Sequence, residues 1–229
     1  MIRDPYVQEN GTLKNKLGII DYDKLNLAER DITFSKFLNI KKTFHTKFDV
    51  SYIKSIHSHI FEDIFDWAGE FREVPVYKQE VVIPGLSLNY TDPKNIEKEL
   101  SDCLKKINNT NWSALTLEQK SATFTKYLTQ FWLIHPFRDG NTRTTLTFAT
   151  QFSKEHDFPL DLGFLLDNLT RKIDNNGEIT QFVLSAIPKE FSPEPEHLNA
   201  LIYKAMVSGI SKNIENLQNT LKSTTDIER

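Results

Sequence analysis

The sequence predicts a mostly helical domain, and three observations predict it. Apolar residues recur at helical spacing in several stretches: Leu117, Phe124, Tyr127, Leu128, Phe131 and Ile134; Ile53, Ile56, Ile60 and Ile64; Leu198, Leu201, Ile202, Ala205 and Met206, then Ile210, Ile214 and Leu217. Helix-start chemistry precedes these and other stretches, with Asp49 as a cap, Asp92 followed by Pro93, and Thr116 with Gln119 as a capping box. β-branched residues gather in one short run, Val74 to Ile83, with Lys78-Gln79 between its halves, so one hairpin is expected there.

Taken in order, Met1 to Ile20 reads as an irregular arm broken by Pro5 and Gly11. Leu25 to Ile40 is a helix with Leu25, Ala28, Ile32 and Phe37 close to one face and its charges on a solvated face. Val50 to Phe65 follows as a helix. His57 and His59 lie two apart there, on different helix faces, which argues against a shared metal. After the hairpin a helix runs from Asp92 to about Asn108, and Asn108 to Ser113 is a loop. Phe158 to Asn176 is mixed, Asn175-Asn176-Gly177 is a turn, and Glu178 to Ile187 is a short helix. Phe191 to Glu196 is a linker rich in proline, and a long helix closes the sequence.

Composition bounds the function. The 229 residues suffice for one well-buried domain, or a domain with an appendage. A net charge of −3 gives no electrostatic case for binding nucleic acid. The single cysteine, Cys103, excludes an internal disulfide and a Cys-based zinc site. Met1 to Asn10 lacks the apolar core of a signal peptide, and no run approaches the roughly 18 apolar residues of a membrane span. The expectation is a cytoplasmic protein with no membrane contact.

The chemistry is concentrated in His135-Pro136-Phe137-Arg138-Asp139-Gly140-Asn141-Thr142-Arg143. A buried helix delivers His135, and the proline after it disfavours further helix. Asn141 to Phe152 reads as a second helix, so loop amides and a helix N-terminus form an anion site. His135 has the chemistry of a general base. Asp139 has that of a Mg²⁺ ligand beside phosphate oxygens. Gly140 lets backbone approach a phosphate, Asn141 can hydrogen-bond a phosphate oxygen or cap the helix, and Arg143 can clamp phosphate with its planar fork. Phe137 reads as the core anchor of the loop. Singly, each has an ordinary structural explanation; jointly, in this order, they point to a nucleotide phosphate with its metal.

This run resembles the signature of the Fic family, His-x-Phe-x-Asp/Glu-Gly-Asn-x-Arg, at every defined position. Leu13-Lys14-Asn15-Lys16-Leu17-Gly18 is similar to the family's N-terminal entry. Phe61-Glu62-Asp63 and Trp67-Ala68-Gly69-Glu70 are similar to the helix before its active-site flap. The resemblance implies a Fic fold, a helical bundle with a β-hairpin flap over the active site. It implies a domain over residues 1–190 (arm 1–20, flap about 73–84, motif loop 135–143) and a regulatory helix segment over 191–229. The implied activity is transfer of AMP from ATP to a Tyr, Thr or Ser hydroxyl of a target protein. His135 is then catalytic, Asp139 holds Mg²⁺, and Phe137, Arg138, Gly140, Asn141, Thr142 and Arg143 line the nucleotide. Val76, Tyr77, Lys78, Gln79 and Val81 dock the target as an added strand. Ser211, Glu215 and Asn216 are similar to the family's inhibitory motif, Ser/Thr-x-x-x-Glu-Gly/Asn, whose glutamate displaces the γ-phosphate.

Two positions depart from the fullest signature. Thr142 stands where the family has glycine, and Leu146 where it has a second arginine that contacts the γ-phosphate. A side branch, the Doc toxins, has lysine at the first of these and acts as a kinase. Other readings therefore stay open: phosphorylation or use of UTP on the same scaffold, a partner-binding module without catalysis, and, against the charge, nucleic-acid binding. Self-modification and homo-oligomer formation are open as well.

Overall fold

The computed structural model describes residues 4–39, 47–76, 88–172, 178–186 and 197–227. Eight α-helices, two short 3₁₀ turns and one two-stranded sheet are found among these residues. The hairpin residues Tyr77, Lys78, Gln79 and Val81, the Asn175–Gly177 turn and the Phe191–Glu196 linker lie outside them. Val76 and its neighbour Val74 are described, and neither is in a strand.

The chain divides into two units. The first comprises Met1–Tyr77, Asn89–Asn109 and Phe131–Phe148. Its helices are α1 (Tyr22–Asn39), α2 (Val50–Phe61) and α3 (Ile96–Asn109), with the end of α4 (Leu117–Ile134) and the start of α5 (Asn141–Glu155). Asp49 caps α2 by accepting from the Tyr52 amide, as its sequence position predicts. Helix α2 ends at Phe61 rather than Phe65; Ile64 and Phe65 are still fully buried, in the turns that follow. Asp92 and Pro93 start a single 3₁₀ turn before α3. The arm, expected to be irregular, is held by its own amides: Asn15 Nδ2 donates to Leu13 O and Ile19 O, and Gln8 Nε2 to the same two carbonyls. The stretch around Leu13–Gly18 is therefore a turn built on side-chain-to-backbone bonds.

The second unit comprises Lys78–Leu88, Thr110–Gln130 and Ala149–Arg229. It holds the start of α4, the end of α5, α6 (Leu162–Asn168), β1 (Thr170–Lys172), β2 (Glu178–Thr180), α7 (Gln181–Ala186) and α8 (His197–Ile227). The Thr116–Gln119 capping box forms in both directions, at 3.0 and 3.3 Å. Trp112, Phe124, Phe152 and Phe158 meet edge-on, tilted or stacked in one aromatic cluster. Residues 178–180, expected to open a helix, instead pair antiparallel with Thr170–Lys172. Ile179 and Thr180 are β-branched and suit a strand better than a first helical turn. Leu198, Leu201, Ile202, Ala205 and Met206 are buried, so the first half of α8 belongs to the core of this unit.

Candidate functional site

Every residue of the motif loop lies in the first unit. Helix α4 stops at Ile134, and His135 takes a left-handed conformation, φ 49°. This is rare for a non-glycine residue. The break turns the chain out of α4 and sets the imidazole, 2% exposed, among aromatic rings. Tyr90 stacks on it at 4.0 Å with 26° between planes, and Trp132 meets it edge-on at 5.4 Å. Its Nδ1 lies 3.3 Å from Trp132 O.

Phe137 is fully buried and stacks on the His57 ring at 3.8 Å, which makes it the anchor the sequence suggested. His57 itself is wholly buried and does more than pack. Its Nδ1 accepts from the Gly69 amide at 2.9 Å, so the proton sits on Nε2, which reaches the Asp139 carbonyl at 3.1 Å. Burial pushes its pKa down from the ordinary 6.5 to about 3, so it stays neutral and keeps this tautomer. His57 thus fixes the backbone of the proposed metal ligand from 82 residues away.

Asp139 is half-buried, and its Oδ1 accepts from the Gly140 amide at 2.6 Å. Gly140 has φ +75°, and a Cβ there would come within 2.3 Å of the Phe61 ring. Asn141 uses both ends of its amide on the backbone of one residue: Oδ1 accepts from Phe137 N and Nδ2 donates to Phe137 O, each at 2.9 Å. In this arrangement it staples the loop closed. The Thr142 hydroxyl accepts from Trp132 Nε1 at 3.0 Å, tying the start of α5 to the end of α4. Arg138 is paired with Asp4 of the arm, Nη2 to Oδ2 2.8 Å.

Arg143 is held from three sides. Nη1 donates to Thr33 Oγ1 at 2.6 Å, Nη2 is bonded to Glu29 Oε1, and the guanidinium lies 4.7 Å over the Phe61 ring. Glu29 was not singled out by the sequence, which placed the charges of α1 on a solvated face. The signal was present: Leu25, Glu29, Thr33 and Phe37 recur every four residues and are all buried, a stripe with two polar residues in its middle. Burial raises the pKa of Glu29, as does the Asp139 carboxylate nearby, against the pull of Arg143. Leu146 is 2% exposed, so an apolar side chain is buried at the position of the family's second arginine.

The loop therefore brings together a histidine, a carboxylate and a guanidinium, with the first-turn amides of α5, which by geometry lack intrahelical acceptors. Among the described residues no group of three or more His, Cys, Asp or Glu could hold a metal by itself. Mg²⁺ needs only one or two protein carboxylates when phosphate oxygens and water complete its shell, and Asp139 is a donor of the right hard-oxygen type. Ser211, Glu215 and Asn216 are in the second unit, on α8. All three are exposed, and Ser211 Oγ donates back to Val207 O.

Residues 47–153 match the Fic/DOC family. The chain is similar to the protein adenylyltransferase VbhT of Bartonella schoenbuchensis, 28% identical over 160 residues, covering 69% of this chain and 32% of that protein. It is similar to the probable protein adenylyltransferase y4lH of Sinorhizobium fredii, 32% identical over 153 residues, covering 65% of this chain and 74% of that one. Among solved structures, BepC of Bartonella tribocorum with bound AMPPNP gives a TM-score of 0.70 at 20% identity, over 87% of this chain and 95% of that chain. The likeness in structure is one of fold. The match spans about a third of the length of VbhT and about three quarters of y4lH.

Proposed function

The chain belongs to the Fic/DOC family, and from that premise we propose that it is a protein adenylyltransferase using ATP. The observation that carries the reading is that one nine-residue loop holds a base, a carboxylate and a fork arginine, each fixed by a different partner. The names of the relatives support it, and so does the AMPPNP bound by BepC.

In this reading His135 takes the proton of a Tyr, Thr or Ser hydroxyl as its oxygen attacks the α-phosphorus of ATP. The bond to the bridging oxygen of the β-phosphate breaks, and pyrophosphate leaves. Arg143, oriented by Glu29 and Thr33, and the α5 amides stabilise charge growing on the phosphates. Asp139 would hold the Mg²⁺, which would offset part of the charge of the triphosphate. Gly140 lets the loop backbone approach a phosphate, and Asn141 holds the loop rigid. The target is a protein with an accessible hydroxyl, and the chain itself qualifies.

Incubation with ATP labelled at the α- or the γ-phosphorus, read on a protein gel, tests this. Label from the α-position on protein is expected. Label from the γ-position would replace the reading with phosphotransfer.

We extend the proposal to regulation by α8. Its support is the Ser211–Glu215–Asn216 pattern, with Ser211 and Glu215 four residues apart on one helix face. A carboxylate entering the γ-phosphate region would misalign ATP for in-line attack. Glu215→Gly should then raise the transfer rate strongly while ATP affinity changes less. A rate equal to wild type would leave α8 a structural helix.

A further inference from the structure

We propose that Arg72, acting with Tyr90, is the positioning device for His135; this rests on His135 being the base of the transfer reaction. Arg72 is 2% exposed. Its guanidinium bonds are all to backbone carbonyls. Nε donates to His135 O at 2.7 Å, Nη1 to Val74 O at 2.9 Å, and Nη2 to Thr91 O and, at 3.4 Å, to Ile134 O. Its own amide donates to Pro136 O at 2.9 Å. One residue thus binds the carbonyls of 134, 135 and 136 in succession.

Two physical facts explain why an arginine stands there. The last carbonyls of a helix have no intrahelical donor, and a cation at that end opposes the helix dipole favourably. The left-handed backbone of His135 is strained and persists only where its surroundings over-determine it. Arg72 supplies that constraint through a planar fork with five donors and no acceptor. A lysine has one point charge and cannot reproduce the fork.

The same guanidinium holds Thr91 O, and Thr91 follows Tyr90, whose ring lies on the His135 imidazole. The backbone of the base is therefore fixed by Arg72, and its ring by the residue next to a second anchor of Arg72. The chain on both sides of residues 77–87 is tied at Val74 and Thr91 to the turn that carries the base. Neither Arg72 nor Tyr90 needs to touch a reacting atom for this role.

The test uses the full chain with histidine labelled at Cε1, as wild type, Arg72→Lys, Tyr90→Leu and, for assignment, His135→Ala. The stacked Tyr90 ring shields the His135 Cε1–H. In both Arg72→Lys and Tyr90→Leu that signal should move downfield, while the His57 signal stays in place. Transfer should lose about 10- to 100-fold in kcat, the scale of a small misplacement of a reacting group, with the ATP Kd within about threefold of wild type. If Arg72→Lys does not fold, Tyr90→Leu decides, since Tyr90 is only half-buried. A His135 signal unmoved in the folded variants, or kcat within twofold of wild type, overturns the proposal. If wild type transfers no label, the nucleotidyl-transfer reading fails, and the His135 signal alone decides the positioning.

Discussion

Gly140 answers to two separate demands. Its φ of +75° lies where L side chains are strained, and the Phe61 ring occupies the place of a Cβ. Phe61 is also the surface on which Arg143 rests, so the ring cannot withdraw without loosening the arginine. Gly140→Ala is expected to cost about 2–4 kcal/mol, from strain and overpacking together, read as a lower denaturation midpoint at unchanged slope. A midpoint equal to wild type would mean the loop adapts freely. His57 gives a pH signature. Its folded pKa of about 3 lies below its unfolded value of 6.5, so the unfolded chain binds the extra proton between them. Stability from this group is complete above pH 6.5 and is lost as pH falls towards 3, at up to about 1.4 kcal/mol per pH unit. His57→Gln removes the titration, so its melting temperature should fall less steeply than that of wild type between pH 6.5 and 4. Parallel slopes would contradict the assignment. The motif residues were legible in the sequence, but their bonds were not. The amide of Asn141 closes on Phe137, four residues away, and Arg143 finds Glu29 from 114 residues away, which no spacing rule reports.

Elements were legible where they were long. Helices α1, α2, α4 and α5 begin within a few residues of their apolar stripes or caps, because 3.6-residue periodicity accumulates over several turns. The pair β1–β2 escaped notice, since three-residue strands are too short for alternation to register. Helix α8 has two characters that its uniform sequence pattern hid. At Gly209 the helix backbone passes so close to Pro159 that a Cβ would lie 2.1 Å from its carbonyl oxygen, and Asp161 N donates to Ala205 O. Asp161 further receives Ser208 Oγ and Lys212 Nζ, each at 2.6 Å. Beyond it, residues 211–219 are exposed. Gly209→Ala should therefore destabilise by about 1–3 kcal/mol through overpacking, while Ile214→Ala should stay within about 0.5 kcal/mol. Thermal melts of the two variants check this. Equal effects would mean that α8 packs along its length.

For the whole molecule, the sequence pointed to a mostly helical domain of the Fic family, and the family match and fold neighbours agree with it. The division into two units was not foreseen, because α4 and α5 each run from one unit into the other and periodicity is blind to such a boundary. One unit carries the whole of the proposed transfer chemistry, with His135 as its base. The most direct measurement compares wild type with His135→Ala for protein-bound label from α-labelled ATP, alongside ATP affinity by calorimetry. Label on protein is expected with wild type and none with the variant, at ATP affinities within about threefold, because a base acts in the chemical step and not in phosphate anchoring. Full labelling by the variant, or label arriving only from the γ-position, would contradict it.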